Sequence, residues 1–170
     1  MNLLKTAAAA AALTVSVTAA SANTIVDIAA ADERFSTLVA AVTAAGLAET
    51  LSGPGPFTVY APVNDAFAAL PEGTVDTLLL PENQDQLVAV LTYHVDDRKL
   101  MSTDFAEGPN TYRPVNADER LCIDATAAGV SIADGTGDEA NVIIANIEAE
   151  NGIIHVIDKV LLPGTRPACH

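Results

Sequence analysis

Three histidines, two cysteines and one acidic loop are the residues of this 170-residue chain best suited to chemistry. Imidazole titrates near neutral pH, so each histidine can serve as an acid, a base, a ligand or a buried hydrogen-bonding group. His94 follows Leu87 and Leu91 at helical spacing. That puts the three on one face and predicts a buried ring whose nitrogens are satisfied by main chain or a neighbouring side chain. His155 stands in an apolar run just after Asn151-Gly152. A two-residue loop at that dipeptide sets Glu148 across from it, where a carboxylate would raise the imidazole pKa. The preferred reading is a structural hydrogen bond reaching back to Thr58 or Asn64. His170 ends the chain and is assigned no role.

Nucleophilic or metal-dependent catalysis finds little support. G-x-S-x-G, H-E-x-x-H, a phosphate loop and G-x-G-x-x-G do not occur in the sequence. A serine triad assembled across the fold would have to place a serine beside His94 or His155. Asp134-Gly135-Thr136-Gly137-Asp138-Glu139 resembles a calcium loop, yet it lacks the alternating ligand spacing and the distant glutamate. It is expected to be a turn that needs no metal, and no cofactor is expected either. Cys122 and Cys169 are the disulfide candidates, because two cysteines in an oxidising compartment can pair. Cys122 lies between Leu121 and Ile123 and so faces away from both. A bridge would tie the C-terminal tail to the body and contribute at most ~4 kcal/mol. The alternative is a buried free Cys122 and a loose tail thiol.

The elements that must position these groups change period midway. Phe35 to Leu47 carries Leu38, Val39 and Val42 at helical spacing, with Ser36 as N-cap and Gly46 as stop. Phe57 to Ala61 alternates as a strand, Pro62 ends it, and Asn64 can cap a short helix containing Phe67. Val75 to Leu80 and Gln84 to His94 predict two further helices. From Thr111 onward short strands are expected at Tyr112 to Val115, Leu121 to Ala125 and Val130 to Ala133. Val142 to Glu150 and Ile153 to Leu162 flank Asn151-Gly152, a strong hairpin signal. In that register Ile147 opposes Val156 and Ile143 opposes Val160 on one face, while Glu148 opposes His155 and Asn146 opposes Ile157 on the other. Ile144 and Ile157 then lie off the core face, and the helical half is expected to cover them. Helices followed by antiparallel strands indicate an α+β domain.

Charge and the N-terminus bound the partners. The net charge is −14, from 8 Lys/Arg against 22 Asp/Glu, which argues against nucleic acid and anionic lipid. The cations are scattered along the sequence. Residues Met1 to Ala22 read as a signal peptide: a start carrying Lys5, an apolar run from Ala7 to Val17, and Ala20-Ser21-Ala22 as a small-residue cleavage site. The run is short for a membrane span. The mature protein is therefore expected in the periplasm or outside the cell and not embedded in a membrane.

Three stretches resemble one family. Thr58-Val59-Tyr60-Ala61-Pro62-Val63-Asn64-Asp65-Ala66-Phe67 is similar to the N-terminal motif of fasciclin domains, with Tyr60 and Val63 where Phe and Thr are usual. Asn151 to Pro163, which contains Gly152, His155, Asp158, Val160 and Leu161, matches the family's C-terminal motif. Tyr93-His94 matches its Tyr-His pair, although Asp96-Asp97-Arg98-Lys99 replaces the Gly- or Pro-containing turn that commonly follows. The resemblance implies a wedge-shaped β-sheet sandwich with a helix-rich N-terminal half. The resemblance covers roughly Thr24 to Pro163, so the expected division is 1–22 signal peptide, 23–163 fasciclin domain and 164–170 tail.

The function implied is adhesion to cell surfaces, matrix or other cells through contact with a cell-surface or extracellular matrix protein, by a monomer or a weakly self-associating unit, without catalysis. Tyr93 and His94 carry the family's adhesion pair. Asn146 and Ile147 stand where animal members have an Asp-Ile pair tied to integrin binding, and the carboxylate is missing here. Thr58, Asn64, Asp65, His155 and Asp158 are expected to be structural. The alternative is a periplasmic or secreted binder of small ligands in a cleft between helices and sheet. An exposed apolar patch without a roomy cavity favours adhesion, and an enclosed pocket with converging polar groups favours the binder.

Overall fold

The structure is a computed structural model that describes residues 23–116, 118–164 and 169. The expected leader and His170 lie outside the described residues. Among the described residues six α-helices come first: α1 (Ile25–Ala31), α2 (Ser36–Ala44), α3 (Ala48–Ser52), α4 (Asn64–Ala68), α5 (Thr74–Leu78) and α6 (Gln84–Tyr93). The strands, seven among the same residues, are β1 (Phe57–Pro62), β2 (Val95–Asp96), β3 (Gly108–Tyr112), β4 (Leu121–Thr126), β5 (Gly129–Ala133), β6 (Glu139–Ala149) and β7 (Gly152–Ile157). They form one curled sheet in the order β2-β1-β7-β6-β5-β4-β3. The α+β class is as expected. One pairing is not antiparallel: β1 and β7 run parallel from Phe57↔Gly152 to Pro62↔Ile157.

Alternation along the central strands divides the core in two. Val59 and Ala61 of β1 and Ile154 and Val156 of β7 face the helices and pack with Phe35, Leu38, Leu87 and Leu91. Tyr60 and Ile157 face the other way and pack with Tyr93, Phe105, Leu121, Ile123 and Ile132. Ile157 is buried in this second cluster, whose members come mostly from the strands, with Tyr93 contributed by the end of α6.

The hairpin differs from its predicted register. Its loop is Glu150-Asn151, because Ala149 pairs with Gly152, and two register shifts between Val142 and Ile147 move the pairing further. Ile147 therefore opposes Ile154, Glu148 opposes Ile153 and Ile144 opposes Val156. Asn151 and Gly152 are present for reasons other than a tight turn. The Asn151 side chain accepts from the Ile25 amide at 3.0 Å and donates to the Leu51 and Gly53 carbonyls at 2.6 and 2.9 Å, joining α1 and α3 to the sheet. A Cβ on Gly152 would lie 2.0 Å from the Phe57 carbonyl oxygen, so only glycine lets β1 approach.

Two helix starts also differ. Ser36 is the first residue of α2, and Asn64 does not cap its own helix. The Asn64 side chain instead accepts from the Thr37 amide at 3.1 Å and donates to the Glu33 carbonyl at 2.8 Å. It caps α2 from across the fold, satisfying an amide that a helix start leaves open.

Candidate functional site

Tyr93 and His94 close α6 inside the molecule. The His94 ring is buried, its Nδ1–H donating to the Val90 carbonyl at 2.8 Å and its Nε2 accepting from the Leu161 amide at 2.8 Å. An amide can only donate, so the ring is neutral with its proton on Nδ1. Burial lowers its pKa to about 4, against the smaller opposing pull of the Val90 bond and of the Asp134 carboxylate. The Tyr93 hydroxyl donates to the Arg120 carbonyl at 2.7 Å, and burial raises its pKa. Neither side chain presents a surface in this fold. The expectation of a buried, satisfied imidazole agrees with this geometry.

His155 differs from both sequence readings. It has neither Glu148, Thr58 nor Asn64 as a partner: its Nε2–H donates to the Leu100 carbonyl at 2.7 Å, and Nδ1 accepts from the Asn146 amide at 3.4 Å. Burial lowers its pKa, where a facing carboxylate would have raised it. The link to the N-terminal motif exists but runs through Leu100. The Thr58 hydroxyl accepts from the Leu100 amide at 2.8 Å and donates to the Arg98 carbonyl at 2.5 Å. Both motifs thus grip the main chain of the segment that follows β2.

Asn146 is the third grip on that segment. It sits within the register shift at φ 60°, a left-handed conformation that asparagine tolerates better than most residues. Its Oδ1 accepts from the Ser102 amide and its Nδ2 donates to the Ser102 hydroxyl, both at 2.7 Å. The amide side chain supplies a donor that an ionised aspartate lacks. Ile147 is half-buried against the helix-side core. Asp65 is exposed in the first turn of α4. Asp158 accepts from the amide and side chain of Asn141 at 2.7 and 3.1 Å, pinning the start of β6.

The acidic loop is a turn between β5 and β6. Asp134 is buried, with Oδ1 accepting from the Thr136 amide and hydroxyl and from the Asp138 amide, and Oδ2 accepting from the Leu162 amide at 2.9 Å. Those bonds, with His94 on Leu161, hold residues 158–164 as an irregular strap where a continuing strand was predicted. Cys122 and Cys169 are bridged, with Cα atoms 5.5 Å apart. Sequence reasoning missed the anchoring roles of Asn151 and Asp134, and it missed Leu100 altogether. The first two carry a visible signal, an amide or carboxylate beside glycine, but their partners lie far away along the chain; Leu100 acts through main chain and carries none.

Two features bear on binding. Apolar cavities of about 30 and 20 Å³ flank His94. Each has room for about one water and not for an organic ligand. On β6, beyond the residues that pair with β5, Ile143 and Ile144 are 51 and 38% exposed. Among the described residues no helix is long and apolar enough to cross a membrane.

Comparison with known proteins agrees with this architecture. The chain matches the fasciclin domain model over residues 33–163. It is 52% identical over 145 residues to Protein sll1483 of Synechocystis, covering 84% of this chain and 75% of that one. It is 38% identical to the transforming growth factor-beta-induced protein ig-h3 of Sus scrofa, over 83% of this chain but only 19% of that one. Among solved structures, a FAS1 domain pair from the insect cell adhesion molecule Fasciclin I superposes with a TM-score of 0.55 at 22% identity, covering 71% of this chain and 42% of that one. With its motifs, its sheet order and these matches in agreement, this chain belongs to the fasciclin domain family.

Proposed function

We propose that this chain is an exported adhesion protein that attaches cells to a surface, a matrix or other cells by binding a cell-surface or extracellular matrix protein. The observation that carries the reading is the Ile143–Ile144 pair. Successive strand residues normally alternate between core and solvent, and here two consecutive isoleucines are both exposed next to Asn146-Ile147. The two apolar cavities beside His94 are too small for an organic ligand, which argues against a binder that uses a cleft between helices and sheet. The Fasciclin I relative, described as a cell adhesion molecule, supports the same direction. Residues 1–22 act as the export signal, and the product is secreted or periplasmic. Tyr93 and His94 serve adhesion through the fold, since both are buried.

The test counts cells retained under flow on host-cell, matrix and abiotic surfaces. A deletion strain should lose retention on at least one surface and regain it with the wild-type gene, but not with a gene carrying Ile143→Lys and Ile144→Lys whose product keeps its melting temperature. Unchanged retention on every surface would reject adhesion and direct the search to a soluble ligand by mass spectrometry of the purified protein.

A further inference from the structure

The curl of the sheet brings its two outer strands together. β2 and β3 stand at opposite ends of the strand order, yet the Val115 amide, three residues past β3, donates to the Val95 carbonyl of β2 at 2.6 Å. At this seam lies a solvent-open cleft of about 660 Å³, lined by Phe57, Asp97, Arg98, Thr111, Tyr112 and Arg113 among others. Its volume is within the roughly 300–1,000 Å³ of small-molecule sites. Cations that look scattered in the sequence thus share one wall.

The Arg98 guanidinium is held in place. Buried Asp96 takes Nε at 2.7 Å and Nη2 at 2.5 Å, and the guanidinium carbon stands 6.0 Å from the centre of the Tyr112 ring. Tyr112 is fixed in turn, edge-on to Phe105 at 5.4 Å, with its hydroxyl accepting from the Ala106 amide at 3.2 Å. Nη1 of Arg98 and the whole exposed guanidinium of Arg113 have no protein partner among the described residues. A fork pre-positioned by a buried carboxylate loses little entropy on meeting a second carboxylate, and guanidinium matches that group in two parallel bonds.

We propose that this cleft binds a sugar polymer bearing carboxylates, a polyuronate, independently of the isoleucine pair, with which its lining shares no residue. Arg113 and the free edge of Arg98 take a sugar carboxylate. Asp97 accepts from sugar hydroxyls, and the aromatic side chains Phe57 and Tyr112 offer apolar surface to the C–H face of a ring. Two guanidiniums against Asp96 and Asp97 keep the cleft locally neutral in a chain of net charge −14, so discrimination comes from the alignment of carboxylate, hydroxyl and ring contacts and not from long-range attraction.

The test is calorimetric titration of the purified protein at low salt with hexagalacturonate, its methyl-esterified form and hexaglutamate. Hexagalacturonate should bind at least about tenfold more tightly than either control, as expected for one charge-assisted pair. Arg113→Gln should lose about tenfold or more, with its melting temperature unchanged because the side chain is exposed. Arg34→Gln, whose guanidinium pairs with Asp32 and does not line the cleft, should bind as wild type. No binding of hexagalacturonate, equal binding by Arg113→Gln, or equal binding of the ester would each overturn the proposal. Equal binding of hexaglutamate would also overturn it, in favour of an acidic peptide. None of these results bears on retention through Ile143 and Ile144.

Discussion

Two tyrosine–histidine pairs lie in this core, and they are built by opposite means. Tyr93 and His94 are chain neighbours at the end of α6. Tyr60 and His155 come from the two ends of the domain and meet because β1 and β7 pair in parallel, with ring centres 5.9 Å apart and planes 20° from stacking. Each histidine is neutral and holds one carbonyl and one amide, but the tautomers are opposite: His94 carries its proton on Nδ1 and His155 on Nε2. The tyrosines differ more. The Tyr93 hydroxyl is bonded, whereas the Tyr60 hydroxyl is buried without a partner among the described residues. A family motif and complete burial therefore do not by themselves make a group a contributor to stability. The bonds of each polar atom decide that.

Removing His94 should have the largest effect. His94→Ala leaves the Leu161 amide and the Val90 carbonyl unpaired and merges the two small cavities that the ring separates. A cost of about 4 kcal/mol is expected from cavity creation plus two buried unsatisfied groups, read as a lowered urea midpoint. If adhesion falls in that variant, the loss should track the loss of folded protein.

Acid should act on the same ring. The folded pKa of about 4 lies below the ordinary histidine value near 6.5, so the unfolded chain takes up the proton first. Stability from this group is complete above pH 6.5 and declines as pH falls toward 4, by about 3 kcal/mol in all. His155, also shifted down, adds in the same direction. His94→Gln, which can still donate and accept but does not titrate, should show a shallower fall between pH 6.5 and 4. Identical slopes for variant and wild type would assign the acid response to other groups.

The same contrast explains what the sequence makes legible. Burial of His94 follows from helical spacing with Leu87 and Leu91, because the apolar face it shares with them is set within one helix. The strand Phe57–Pro62, the helix beginning at Asn64 and the α+β class are legible for the same local reason. The surroundings of His155 are not. They depend on two register shifts in β6 and on Asn146 at positive φ, and each shift moves the pairing by one residue and exchanges the face on which a side chain lies. Asn151-Gly152 misleads in the same way: its composition signals a turn, but its task is to reach α1, α3 and β1. The seam between β2 and β3 is invisible to any local pattern, since it arises from the curl of the whole sheet.

His155→Phe measures the second pair. The phenylalanine ring keeps contact with Tyr60 and Phe105, so the change removes the bonds to the Leu100 carbonyl and from the Asn146 amide while keeping the packing. The expected cost is about 2 kcal/mol, smaller than for His94→Ala because packing is kept and the Asn146 bond, at 3.4 Å, is already long. Loss of the Leu100 bond should also loosen the segment gripped by Thr58 and Asn146, read as faster amide exchange at Leu100 and Ser102. Unchanged exchange there would show that Thr58 and Asn146 hold the segment alone.

The tyrosines should respond with opposite signs. Tyr93→Phe removes a buried hydroxyl that donates to the Arg120 carbonyl at 2.7 Å and so deletes that bond from the core. It should destabilise the fold by about 1–2 kcal/mol. Tyr60→Phe removes a hydroxyl that is desolvated for no bond in return, and burial already drives its pKa up. It also restores the residue usual at this motif position. A gain of up to about 1 kcal/mol is expected, since the ring stays in place and only an unsatisfied donor is lost. Chemical unfolding of the two variants beside wild type decides the matter. If Tyr60→Phe is destabilising by as much as Tyr93→Phe, its hydroxyl has a partner after all, a buried water being the chemically natural one, and the two pairs are more alike than their direct bonds indicate.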